Sequence, residues 1–396
     1  MRGTMGISEG IRQGSRLDER SVRVYGWLFA AINLLSLVVL LATSRGGIDA
    51  YGHLIGSDFL SFWAAGKLLV AGGSPYDTAA HLAVMRDFAP GLEGYPAFYY
   101  PPLFLLACFA LGGLPYFPAL GLWLIVTGAA YLGAVRLWLK ETGLKIPLWL
   151  WLAAFPPVVV TITHGQTSFL VAALLGAGLL LIKDRPWLGG LLLGLATFKP
   201  QFGLLIPIAV LLTGNWRVGV AAVFSMSVLI TIVTVAFGPE NWERWYALTG
   251  DAQGSMASGA IGYGKMMSVF AGAKLLGAGD TLAYALQGVV SVTVAVAVAM
   301  VSWKRTWSNG LAALVLAGAL LATPFVLDYD LLLLAFPLIY LAATGYRDWE
   351  KSISAAVFLG AILARPVALN LGVPIMPVLV GLLFWVLWRR AKEEQS

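Results

Sequence analysis

Cysteine occurs once in the 396 residues and histidine three times. One cysteine excludes a disulfide framework and any cysteine-based zinc site, and the three histidines form no metal motif. Charge is scarce as well: 26 Lys and Arg with 20 Asp and Glu make up 12% of the chain, about half the usual ~25%. A soluble fold of this size cannot cover its surface with so few charges. No phosphate-binding glycine loop of the nucleotide kind and no Gly-x-Ser-x-Gly nucleophile elbow occurs, so soluble nucleotide donors are not indicated. Equally missing are a fixed-period repeat, a heptad array and symmetry between inverted halves.

What the chain has is apolar residues, 59% of it. The expected class is all-α and polytopic. Helices must do the spanning, because the apolar runs are long and continuous and lack the alternation of a β-barrel. The net charge of +6 needs no nucleic-acid partner, since basic loops on the cytoplasmic face account for it.

Residues 1–24 form a polar tail with five arginines, read as cytoplasmic, followed by the first apolar run, Tyr25 to Thr43. That run is longer than a signal-peptide core, so a retained helix is expected. The membrane domain is placed at 25–390, with a short cytoplasmic tail at 391–396. Lys183/Arg185, Arg217, Lys304/Arg305, Arg347/Lys351 and Arg389/Arg390/Lys392 fall at alternate turns and are assigned to the cytoplasm. About 13 apolar runs are countable, but termini on the same side require an even number, and about 12 crossings are expected. The misfit lies between 99 and 165. Either 99–114 is re-entrant, or the basic Lys140–Lys145 turn breaks the charge rule.

Two hydrophilic stretches, 44–98 and 238–280, are read as external loops. In the first, Phe59, Phe62, Trp63, Leu68, Leu69 and Val70 recur at helical spacing, which predicts a short amphipathic helix lying in the interface. The Asp49, Asp58, Asp77, Asp87 and Glu93 carboxylates give this loop its slight acidity.

Five places carry candidate chemistry. Asp58, just before the interfacial helix, is suited to take a proton from a sugar hydroxyl at the membrane surface, or else caps that helix. Tyr99-Tyr100-Pro101-Pro102 opens an apolar run, where prolines suit a first helical turn and tyrosines an interfacial belt. His164-Gly165-Gln166-Thr167-Ser168 is a polar turn between apolar helices. It either lines a ligand, with a phosphate at the following helix N-terminus, or is a capped turn with His164 packed on a neighbour. Lys199, in Phe198-Lys199-Pro200-Gln201, either snorkels to the interface or meets a lipid phosphate. Asp328 and Asp330 cap the helix starting near Leu331, or contact sugar hydroxyls or a metal, with capping favoured for Asp330. Arg365-Pro366 supplies a further external cation.

Taken in order, Asp58-Phe59, Phe62-Trp63-Ala64-Ala65-Gly66, Pro75-Tyr76-Asp77, Tyr100-Pro101-Pro102-Leu103, Gly165-Gln166-Thr167-Ser168, Thr197-Phe198-Lys199-Pro200-Gln201 and Asp328-Tyr329-Asp330 resemble glycosyltransferase family 87 of the GT-C superfamily, over residues 57–340. The resemblance implies a GT-C-like helical bundle that takes a sugar from a lipid-linked donor on the extracytoplasmic face. In characterised members the donor is polyprenyl-phosphate-mannose, which acts as co-substrate; no metal or other cofactor is implied. Asp58 would be the general base. Lys199 would lie near the donor phosphate, with His164, Gln166, Gln201 and Tyr100 as further donor contacts. Asp77, Asp328 and Asp330 would contact sugar or acceptor. Some members carry histidine where this chain has Asp328-Tyr329-Asp330, a departure that bears on the sugar transferred. The partners implied are a lipid-linked donor, a glycolipid or glycan acceptor and the membrane, with no nucleic acid. Five asparagines without a single Asn-x-Ser/Thr sequon fit a prokaryotic inner membrane. The rival reading is a transporter or flippase of lipid-linked sugars. It calls for repeat symmetry and polar residues along the spans, whereas here the polar residues gather at turns.

Overall fold

The computed structural model describes residues 12–13, 19–91 and 97–393. Arg2, Glu9, Arg16 and Asp18 of the tail, Glu93 of the long loop and residues 394–396 lie outside the described residues. Among the described residues the regular structure is helical, with only isolated bridges such as Ile48 to Leu54 pairing extended backbone.

The first helix, α1, is Glu19–Thr43. Within the long loop that follows lie α2 (Phe59–Val70) and α3 (Thr78–Phe88). Next come α4 (Leu105–Gly112), entered through a 3-10 turn at Pro102–Phe104, and α5 (Tyr116–Thr142). Helices α6 (Leu148–Ala154) and α7 (Pro156–His164) form one kinked segment, broken where Pro156 denies the ladder a donor. After Gly165 follow α8 (Ser168–Leu181), α9 (Pro186–Leu195), α10 (Ile206–Leu212) and α11 (Trp216–Phe237). The second loop holds α12 (Glu240–Ala257) and α13 (Val269–Leu275). The chain ends with α14 (Asp280–Ser302), α15 (Asn309–Leu321), α16 (Ala335–Ala343), α17 (Glu350–Leu371) and α18 (Ile375–Glu393).

Among the described residues five helices are long and apolar enough to cross a membrane: Arg20–Thr43, Tyr116–Thr142, Trp216–Phe237, Asp280–Ser302 and Glu350–Leu371. Several other apolar runs form helices of 10–17 residues, among them Ser168–Leu181, Pro186–Phe198, Pro200–Leu212 and Asn309–Leu321. The expected number of about 12 crossings is therefore not reached by length. The polar turns at 165–167, 199–200 and 322–330 interrupt what hydropathy alone joins into spans.

Ring and hydrogen-bond contacts sort the turns into two ends. Tyr131 packs on Phe169 and Trp138 donates to the Gly176 carbonyl, so α5 and α8 run parallel from a common start. That start is the end where Gly56 N–H donates to Thr163 O and Trp123 Nε1 donates to Gly165 O. At the other end Trp307 Nε1 donates to Leu179 O and Lys304 N–H to Leu212 O. Arg390 meets Thr344 and Glu350 there as well. The basic turns assigned to one face thus share one end of the bundle, and the acids of the long loop sit at the other.

The same contacts settle the 99–165 block. Tyr100 hydrogen-bonds Gln166, while Tyr116 OH donates to Gly56 O at 2.7 Å. Both ends of the 102–112 segment therefore lie at the same end of the molecule, and α4 turns back without crossing. The basic 140–145 turn lies a 27-residue helix away, about 40 Å, at the end the charge rule requires.

The expectation of an interfacial amphipathic helix at 59–71 is corrected. Nine of the twelve residues of α2 are buried, from Phe59 through Gly66 without a break. Its second face, read as solvent-directed, packs on α4 instead. A Cβ on Gly66 would sit 2.1 Å from the Cys108 carbonyl oxygen, and one on Gly112 would sit 2.2 Å from Gly66. Small residues let these two backbones touch, which is how helices associate where hydrophobicity alone gives no drive. Phe62 then meets Tyr100, Phe104 and Trp123 edge-on, each such pair worth about 0.5–1.5 kcal/mol.

Candidate active site

Three interrupted segments converge at the end that carries the long loop. The Gly165–Thr167 turn separates α7 from α8, the Lys199–Pro200 break follows α9, and the Asp328–Asp330 turn precedes α16. Asp58 meets them from the start of α2.

Gln166 is the hub. Its Oε1 accepts from the Thr167 backbone N–H at 2.7 Å and from the Tyr100 hydroxyl at 2.9 Å. A backbone N–H can only donate, so the amide's orientation is fixed. Its Nε2 therefore donates to Asp58 Oδ2, at 2.8 Å. Tyr100 OH also lies 3.0 Å from Thr167 Oγ1, and its carbonyl accepts from Tyr76 OH at 2.9 Å.

Asp58 makes no side-chain cap bond to α2, so the capping alternative fails. Its backbone N–H donates to the His164 carbonyl at 3.1 Å, and Gly56 N–H to Thr163 O at 2.8 Å. These two bonds fix the acid's loop to the 163–165 turn. Gly165 occupies the left-handed region at φ 65°, and a Cβ there would lie 2.5 Å from Phe59 Cβ. Only glycine fits both the turn and the approach.

Lys199 does not snorkel. It is 6% exposed and its Nζ lies 2.9 Å from Asp330 Oδ1, whose side chain is 1% exposed. Ser168 Oγ donates to the same oxygen at 3.0 Å, and Leu327 N–H to Oδ2 at 3.1 Å. Asp330 thus combines the helix-start role expected of it with an ion pair. Asp328 accepts from Tyr329 N–H at 3.0 Å and from Arg365 Nη1 at 3.2 Å.

His164 is half-buried. Its Nδ1 lies 2.9 Å from Val160 O; a carbonyl only accepts, so Nδ1 carries a proton and Nε2 is the nitrogen left for a ligand. The His164 and Tyr329 rings approach to 6.2 Å, and Lys199 Nζ lies 5.4 Å from the Tyr329 ring centre.

Two expected site residues are not drawn into this network. Asp77 is exposed and caps α3, accepting from Ala79 and Ala80 N–H at 3.1 and 3.0 Å; a carboxylate before a helix start finds free donors there. Gln201 sits half-buried in the 3-10 turn Pro200–Gly203, with no hydrogen bond to the cluster. Sequence reading gave Arg365 only as an external cation, placed Ser168 only as part of the polar 164–168 turn, and gave Trp123 no site role. The partner of Arg365 lies 37 positions away, and nothing local announces it. Ser168 was readable, being the next polar residue of the turn.

A helical membrane bundle with interrupted helices around an acid-and-cation cluster is the setting in which the comparison falls. Residues 98–327, more than half of the chain, match glycosyltransferase family 87. The chain belongs to that family, and the protein is a glycosyltransferase. No curated protein and no solved structure matches it. Asp58 and Asp328–Asp330 lie outside the matched residues, so their place in the site rests on the geometry above.

Proposed function

We propose that the protein moves a hexose, mannose by the family resemblance, from a polyprenyl phosphate to an extracytoplasmic lipid or glycan, with Asp58 as general base. One observation carries the assignment. Of the three acids in the cluster, Asp330 pairs with Lys199 and Asp328 with Arg365. Among the described residues no cation lies within ion-pairing distance of Asp58. Its carboxylate, held by one neutral amide, keeps a free lone pair for a proton.

In the reaction, the acceptor hydroxyl gives its proton to Asp58 as its oxygen attacks the anomeric carbon from the face opposite the phosphate. The bond to the phosphate oxygen breaks, the electron pair stays on phosphate, and the configuration inverts. The charge that develops there needs preorganised donors. Lys199 spends one of its three N–H donors on Asp330, leaving two for that charge, while His164 Nε2, an acceptor as long as Nδ1 holds the ring proton, suits a sugar hydroxyl. The scheme calls on neither a nucleotide nor a metal. Chain tails of the donor reach the site from the bilayer beside the 99–102 and 199–201 turns, and the acid-bearing end faces outward.

The test is transfer from polyprenyl-phosphate-mannose to candidate glycolipids by purified protein, wild type against Asp58→Asn. A loss of about 10²–10⁴-fold is expected for a missing base; unchanged transfer removes Asp58 from the role. Transport of the lipid-linked sugar without transfer would point to the flippase reading.

A further inference from the structure

At the end opposite the active site, α5 stops at Gly143 in the left-handed conformation, φ 70°, and the chain turns into α6. Between the two lies a shallow groove, open to the surface and about 430 Å³ in volume, lined by the exposed Arg136, Lys140 and Lys145 together with Leu139, Leu144 and Ile146. Arg136 and Lys140 stand one helical turn apart on one face, an arrangement that like charges disfavour. The carbonyls ending α5 relieve part of that repulsion. Glu141, one residue on and about 100° round the helix, does not line the groove. Among the described residues no carboxylate ion-pairs with any of the three cations. Three positive charges thus share one space without a counter-charge from the protein.

A second observation gives the depth. Trp27 of α1 and Trp149 of α6 meet edge-to-face with ring centres 4.7 Å apart. Both are about half exposed, at 52% and 54%. Exposed tryptophans beside a span's end mark the headgroup layer of a bilayer. The occupant must therefore offer anionic oxygens to the cations and apolar chains to the leucine and isoleucine walls.

The geometry points to a binding site for the headgroup of an acidic phospholipid, with its phosphate between Arg136, Lys140 and Lys145. This site is separate from the transfer chemistry and stands whatever sugar is moved. The basic residues Lys183, Arg217 and Lys304 at the same end serve as the comparison, since they satisfy the charge rule without lining this groove.

The experiment is native mass spectrometry of the full chain in detergent, titrated with dioleoyl phosphatidylglycerol or dioleoyl phosphatidylcholine. Wild type is expected to retain the acidic lipid preferentially. Removing all three charges as Arg136→Gln, Lys140→Gln and Lys145→Gln should weaken that binding on the order of 100-fold, at about fivefold per cation. The charge-matched variant Lys183→Gln, Arg217→Gln, Lys304→Gln should stay within about twofold of wild type. Equal loss in the two variants, no preference for the acidic lipid, or full displacement by inorganic phosphate at the lipid's own concentration would each overturn the proposal. If the triple variant fails to fold, Lys145→Gln alone must show the fivefold loss, and a change under twofold counts against the site.

Discussion

Gln166 holds Asp58 and Tyr100 at once: its Nε2 donates to Asp58 Oδ2 at 2.8 Å while its Oε1 accepts from Tyr100 OH at 2.9 Å. The amide links the acid to the aromatic wall, and its direction is fixed by Thr167 N–H at 2.7 Å. Replacing it as Gln166→Leu frees the carboxylate to rotate. A displacement of about 1 Å at a reacting group costs about 10²-fold. Transfer kinetics of the variant should show that loss in kcat, with KM little changed; an equal fall in donor affinity would assign Gln166 to binding instead.

Lys199 and Asp330 form a buried pair, 6% and 1% exposed in their side chains. Lys199→Met leaves an uncompensated buried carboxylate and should destabilise the protein by about 3–5 kcal/mol. Lys199→Met with Asp330→Leu removes both charges and should recover most of that stability, though not activity. Thermal unfolding in detergent, with transfer measured in parallel, checks both; a double variant as unstable as the single would refute the pairing.

Gly165→Ala should be costly out of proportion to one methyl. The left-handed conformation costs an alanine about 1–2 kcal/mol, and crowding against Phe59 adds about 1–3 kcal/mol. Since Asp58 precedes Phe59, activity should fall with stability. A variant with wild-type melting behaviour would show that the turn relaxes.

His81 is fully buried, its Nε2 2.9 Å from the Ser61 carbonyl. Burial pushes its pKa below the ordinary 6.5, and the Ser61 carbonyl only partly opposes that. The unfolded chain therefore takes a proton that the folded one resists. Stability should be full above pH 6.5 and decline as pH falls from there to the lowered folded value. Melting temperatures at several pH values should show this for wild type, with a shallower fall for His81→Gln. Parallel curves would rule His81 out as the source.

Much of the site was legible because its residues lie in short polar interruptions of apolar runs. Gln166, Lys199 and Asp330 announce themselves by standing where hydrocarbon-facing helices should continue. Their partnerships did not show. Lys199 and Asp330 are 131 positions apart, and the packing of α8 against both α9 and the 328–334 turn brings them together. The burial of α2 was hidden for another reason. Its aromatic spacing suits a helix on a membrane surface equally well, and the decisive Gly66–Gly112 contact joins two elements that each look ordinary alone. The same interruptions that mark these residues cut the apolar runs into shorter helices, since hydropathy cannot tell a helix that continues from two that stop at a polar turn.

The paired backbone bonds from Gly56 to Thr163 and from Asp58 to His164 weld two distant stretches of chain into one rigid block. Any opening and closing around a substrate therefore has to be accomplished by other parts of the molecule. An engineer seeking to change the sugar or the recipient should leave that block untouched and recut the walls around it.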